Sequence, residues 1–153
     1  MHDRSRRGCL DLLISLPMRF DTKIAIVVRD DLVMWQRLNV ACFLAGGLVG
    51  ACPGLAGEPY VDASGRTYGP LVRQPILIYS ASCHELARTL RRANERGLTP
   101  SIYTSSLFVT NNDTDNRAAV KAVPTEALEL VGIGLHADRK QIDKVTDGLE
   151  LHG

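Results

Sequence analysis

Hydroxyls, amides and carboxylates crowd one stretch of the chain, SSLFVTNNDTDNR at residues 105–117. Such a run offers donors and acceptors to a polar ligand, and it follows a β-prone segment at a strand exit, where loops often carry sites. Thr104, Ser105 and Ser106 supply the hydroxyls, while Asn112, Asp113, Asp115, Asn116 and Arg117 supply amide and charged groups. All eight are candidate ligand-binding residues. As a calcium loop the segment fails. Counted from Asp113, Ala118 stands where the glycine belongs and Pro124 where a bidentate glutamate belongs. No metal is expected, and no cofactor, since no glycine pattern matches a phosphate loop or a dinucleotide fingerprint. Capping the helix that follows requires one residue, Asp113 or Asp115, and leaves the others either solvated or open to a ligand.

A second cluster opens the first long helix. Residues 29–47 read RDDLVMWQRLNVACFLAGG, a charged turn followed by small and apolar residues around a single amide, Asn39. Trp35, Asn39 and Cys42 are spaced to share one helix face. A helix starting where a strand ends brings that face to the C-terminal edge of a sheet, where α/β crevices form. Asn39 is expected first to satisfy backbone groups of the adjoining turn, as buried amides ordinarily do, and second to touch a ligand. Arg29, Asp31, Trp35 and Arg37 join it as candidates.

Other constellations favour structural roles. Arg88, Arg92 and Arg96 recur every fourth residue and could form a rail for phosphates, but Glu85 and Glu95 make a solvated, salt-bridged face the better reading. Cys83 and His84 are adjacent, so on a helix they point about 100° apart and do not meet as nucleophile and base. Asp138, near His136, is expected to cap the last helix.

The elements that position these groups follow from punctuation. KIAIVV is a β-branched run, and the small-residue helix after it is expected to be buried, its Ala41, Ala45, Gly46, Gly47 and Gly50 allowing close approach to a neighbour. PYVDASGRTYGP reads as a hairpin, and QPILIYS as a buried strand. Ser82 and Glu85 form a capping box for CHELARTLRRANER, which Gly97 ends. TPSIYT is a further strand, RAAVKAV a helix stopped by Pro124, LELVGIGL an interior strand, and DRKQIDKVTDG the last helix. Strands alternating with helices predict a single α/β domain with a mixed sheet of about four strands flanked by helices.

Composition bounds the rest: 153 residues, 45% hydrophobic, suit one core, and a net charge of +1 gives no global field for nucleic acid or membrane. Cys9, Cys42, Cys52 and Cys83 lack paired spacing and read as buried thiols in a reducing compartment, consistent with a cytoplasmic location. Residues 1–17 carry a basic start, but Asp11 and Pro17 break the apolar stretch, so they read as a non-core extension ahead of a domain over 18–153. The apolar stretch 40–56 holds four glycines and a proline and is too short to span a bilayer.

The residues themselves resemble a known group. KIAIVVRDDLVMW, QPILIYSASCHELARTLRRANERGL and VGIGLHADRKQIDKVTDGLEL resemble the class II peptidyl-tRNA hydrolases. The fuller wording, with WQRLN and NNDTDNRAAV, is similar to an uncharacterised family catalogued as domain of unknown function 2000, whose members share that hydrolase fold. The likeness covers about residues 23–151.

That resemblance implies the scaffold without the catalytic residues. Where the hydrolases open their first helix with a glycine-lysine pair and an alanine-alanine-glutamine run, this chain has Arg37, Leu38, Asn39, Val40, Ala41 and Cys42. Where they carry an aspartate-alanine-glycine turn and a threonine-glutamine pair, it has Thr104, Ser105 and Ser106. The implied role is a ligand-binding or unassigned module taking a small molecule or an RNA end. The alternative is a hydrolase of peptidyl-tRNA or a related ester or amide that recruits Arg37, Asn39 and the hydroxyls at 104–106. A homodimer is expected from the small-residue helix and from the often dimeric hydrolases.

Overall fold

The computed structural model describes residues 19–153; the extension expected at 1–17 lies outside the described residues. In chain order, strand β1 is Thr22–Arg29, helix α1 Met34–Ala51, the hairpin strands β2 Tyr60–Val61 and β3 Thr67–Tyr68, and strand β4 Ile76–Ala81. Helix α2 is Cys83–Glu95, strand β5 Ser101–Thr104, helix α3 Asp113–Lys121, strand β6 Leu130–Asp138, helix α4 Arg139–Val145 and strand β7 Glu150–Leu151. The main sheet runs β5-β6-β1-β4-β7. Only β1 and β4 pair in parallel; the other three pairings are antiparallel. The sheet expected to have about four strands has five, the additional one being the two-residue edge strand β7, too short a pattern to read.

β1 is buried on both faces, which is why its sequence is continuously apolar rather than alternating. Ala25 and Val27 point to one face and pack with Leu86 and Leu90 of α2 and Ile142 and Val145 of α4. Ile26 and Val28 point to the other and pack with Val40 and Leu44 of α1. Three layers result, with α2 and α4 packed on one face of the sheet and α1 on the other. No described helix is long and apolar enough to cross a membrane.

The seating of α1 corrects two expectations. Its buried residues are Val40, Leu44 and Leu48 alone, while Met34, Leu38, Cys42 and Phe43 are exposed, so the helix is covered on one face only. The glycines that permit close approach lie on the strand beneath it. A Cβ added at Gly132 would come within 2.4 Å of Val40 Cγ1, and one at Gly134 within 3.3 Å of Leu44 Cβ. Gly46 and Gly50 would meet nothing within 4 Å.

Local signals held elsewhere. Ser82 Oγ accepts from the Glu85 amide at 3.2 Å, the Glu85 carboxylate accepts from the Ser82 amide at 2.8 Å, and Gly97 takes the left-handed conformation just past α2. The hairpin turns through Gly65, also left-handed, with Asp62 accepting from the Ser64 and Arg66 amides. A bulge matters most for the site. Tyr103 pairs with Gly132 but Thr104 with Leu130, so Val131 has no partner on β5. Such an extra residue bends the paired strands, and here the chain leaves β5 into the 3-10 turn Ser105–Phe108 that leads towards α3.

Candidate functional site

Trp35, Asn39, Phe43 and Gly47 recur every fourth residue of α1, so their side chains form one ridge along the helix. Facing that ridge are Tyr103 of β5, Leu107 and Phe108 of the 3-10 turn, and the N-terminal part of α3. The rings form a chain of tilted contacts: Trp35 to Phe108 at 5.7 Å, Phe108 to Tyr103 at 5.1 Å and Tyr103 to Phe43 at 5.9 Å between centroids. Offset, edge-directed geometry of this kind is the favourable one for aromatic pairs. It also leaves Trp35 58% and Phe43 60% exposed, open to a further ring.

The groove has two halves. A polar half of about 440 Å³ lies between Trp35, Asn39 and Phe43 on one side and residues 110–113 and Asn116 on the other. An apolar half of about 550 Å³ continues from Phe43 past Gly47 to Ile102, Leu107 and Val120, with Arg117 and Lys121 on its wall. The gap exists because α3 buries none of its residues and stands off the sheet edge formed by β5.

Hydrogen bonds separate the groups spent on the fold from those left open. Asn112 is the helix cap, its Oδ1 accepting from the Asp115 amide at 2.9 Å, so neither Asp113 nor Asp115 caps α3. The reason is positional: α3 begins at Asp113, four residues ahead of the start expected from RAAVKAV, and both carboxylates fall in its first turn. The Thr110 hydroxyl lies 3.1 Å from the Leu107 carbonyl and also contacts Asn116 Oδ1. Burial pushes the Tyr103 phenol above its ordinary pKa, keeping it a neutral donor to the Leu107 carbonyl at 3.3 Å. Arg117 is ion-paired with Asp113. Asn39 is half-buried and its amide makes no hydrogen bond with another described residue. It does not serve the adjoining turn; Arg37 does, donating to the Leu32 carbonyl at 2.6 Å and the Asp30 carbonyl at 2.5 Å.

With this geometry in view, the comparisons place the chain. Residues 22–153 match the model of a family described as protein of unknown function, DUF2000. The chain belongs to this family. It is also similar to the solved structure of a protein of unknown function from Agrobacterium tumefaciens strain C58, 41% identical, with a TM-score of 0.86 over 88% of this chain and 100% of that one. No curated protein matches.

Of the residues singled out from the sequence, Trp35, Asn39, Asn112, Asp113, Asn116 and Arg117 line the groove of this family member. The others lie outside it. Arg29 pairs with Asp31 at 2.6 Å and with Glu129 at 3.7 Å. Arg37 is occupied by carbonyls and by His152, 3.1 Å away. Thr104 is buried with its hydroxyl 3.0 Å from Ser106, Ser105 donates its amide to the Glu129 carbonyl, and the Asp115 carboxylate accepts from Asn112. The sequence reading missed Phe43, Tyr103, Leu107, Phe108 and Val120, whose apolar types look like core until the stand-off of α3 is known.

The remaining constellations are structural. Arg92 donates to the Asp147 carbonyl and Arg96 to Gln141, which ties α2 to the α4 end of the chain rather than forming a phosphate rail. Asp138 occupies the cap position of α4 without a side-chain hydrogen bond, because its own carboxylate does not reach the helix amides. Cys42 on the outward face of α1 and Cys83 at the first position of α2 are exposed, and Cys52 is half-buried, so these thiols are not core residues. Cys9 is outside the described residues. Among the described residues no group of three or more His, Cys, Asp or Glu is placed to hold a metal ion.

Proposed function

We propose that the protein binds a small molecule in the groove between α1, β5 and α3, on a scaffold similar to that of the class II peptidyl-tRNA hydrolases but without their catalysis. The observation that carries this reading is the meeting of Trp35, Asn39 and the 111–116 segment in one groove, with the Asn39 amide left open to it. A cleft of several hundred Å³ with apolar walls and a few convergent polar groups is the usual form of a small-molecule site. The hydrolase alternative needs a base and an oxyanion donor near one another. Its candidates are dispersed: Arg37 is held by backbone carbonyls, Thr104 is buried against Ser106, and neither lines the groove.

Gly47→Leu tests the reading without threatening the helix, since replacing a mid-helix glycine raises intrinsic helix stability by about 0.5–1 kcal/mol. Its Cβ would lie 3.5 Å from Ser101 Oγ, an ordinary contact, with the remaining atoms entering the apolar half. Mass spectrometry of molecules released from denatured protein should find an organic molecule with the unaltered chain and not with Gly47→Leu. Equal recovery from both would contradict a site in this groove.

The same reading places the protein in the cytoplasm as a homodimer. The outward face of α1 supports assembly: Met34, Leu38 and Cys42 are exposed and uncharged, and an apolar face of this kind is commonly covered by a partner. Light scattering at micromolar concentration should give about twice the 16.7 kDa of one chain. A monomer at that concentration would rule the dimer out.

A further inference from the structure

The polar half of the groove has a definite hydrogen-bonding character. Asn39 presents an amide, both donor and acceptor, that has no partner among the described residues. Across from it, Asn116 contacts the Thr110 hydroxyl through Oδ1, and its NH₂ has no partner among the described residues. Asn111 Oδ1 accepts from the Asn112 NH₂ at 3.1 Å, and the Asn111 NH₂ has no partner among the described residues. The one carboxylate there among the described residues, Asp113, is neutralised by Arg117. Among the described residues no lysine, arginine or histidine lines this half. Beside the amides stand two exposed rings, Trp35 and Phe43, and beyond them the walls become apolar.

We infer that the ligand is a small neutral amphiphile: a planar aromatic or heteroaromatic head bearing an amide-like donor and acceptor, joined to an apolar tail. This inference rests on the groove being a binding site and names the class that the site would take. The head lies against Trp35, its carbonyl accepting from the Asn116 or Asn111 NH₂ and its N–H donating to Asn39 Oδ1. The tail follows Phe43 and Gly47 towards Ile102 and Val120. An anionic head is disfavoured on two counts. A carboxylate only accepts, so it would face Asn39 Oδ1 without a donor to offer, and its charge would lose solvent beside Asp113, while Lys121 stands on the wall of the apolar half rather than at the head. A plain hydrocarbon is disfavoured because it would leave the Asn39 amide shielded from water and unpaired.

Trp35 is the sole tryptophan of the chain and stands at the groove, so its fluorescence reports occupancy directly. The probes are 4-hexylbenzamide and its isostere 4-hexylbenzoate, which differ in charge and in one donor. The amide should perturb Trp35 emission in a saturable way and bind about tenfold more tightly than the carboxylate, the ratio expected for one or two net hydrogen bonds. Asn39→Leu should reduce that preference to near unity, and Gly47→Leu should weaken both probes. Saturable binding of the carboxylate with equal or greater affinity would overturn the neutral-amide class while leaving the groove as a binding site. A preference for the amide that survives in Asn39→Leu would also overturn it. Neither probe perturbing Trp35, together with equal recovery of bound molecules from the unaltered chain and Gly47→Leu, would overturn both the class and the site.

Discussion

Gly132→Val should cost the fold about 3 kcal/mol, a large fraction of the stability of a domain of this size. The cause is overpacking at the closest approach of α1 to the sheet. The first added carbon alone would lie 2.4 Å from Val40 Cγ1 and 2.9 Å from Leu44 Cδ1, inside contact distance for both. Val40 is fully buried and cannot retreat without lifting the helix. Gly132→Ala should therefore already cost about 1–3 kcal/mol, and Gly132→Val more. Gly46→Ala makes the matching control. With nothing within 4 Å of its Cβ position, it should raise stability by about 0.5–1 kcal/mol through helix propensity. Urea unfolding of the three variants gives the comparison. Unchanged stability in Gly132→Val would show that α1 does not seat on β6 as described.

Activity on peptidyl-tRNA should be absent. Incubated for hours with diacetyl-lysyl-tRNA, the protein should leave the substrate intact while an active class II hydrolase clears it. Ester hydrolysis needs a positioned base and a donor for the oxyanion. Arg37 is the cation proposed for that reading, and an arginine guanidinium keeps its proton in a protein, so it cannot act as the base. Its guanidinium is moreover held by the Leu32 and Asp30 carbonyls, away from the groove. Robust turnover that Asn39→Leu abolishes, with circular dichroism unchanged, would restore the hydrolase reading.

How far the sequence could foretell this depends on the range over which each feature is decided. β1, β4, the Ser82–Glu85 box and the Gly97 stop are settled within a few residues, and the chain states them openly. β7 was not legible because two residues carry no period, and its pairing with β4 is decided by where the end of the chain returns. The site was half legible for a related reason. Trp35, Asn39 and Asn116 stand out as unusual types in their segments, whereas Tyr103, Phe108 and Val120 have the types of ordinary core residues. Only the stand-off of α3, which buries none of its residues, turns them into a wall. Arg37 illustrates the converse. Its charge beside the first helix turn looked available for a ligand, and the carbonyls that occupy it belong to a turn whose shape no local pattern encodes.

The claim that the groove is the binding site is tested most directly by screening a mixed library of small aromatic and aliphatic fragments against isotope-labelled protein by nuclear magnetic resonance. The fragments are not chosen for any class, so the protein itself selects where they collect. The account predicts that shifts concentrate on the Trp35 indole N–H and on the side-chain amides of Asn39 and Asn116, and that Gly47→Leu suppresses them. Shifts collecting instead on the exposed hairpin at residues 60–68 or around Arg37 and His152, with the Trp35 and Asn39 signals unmoved, would contradict it.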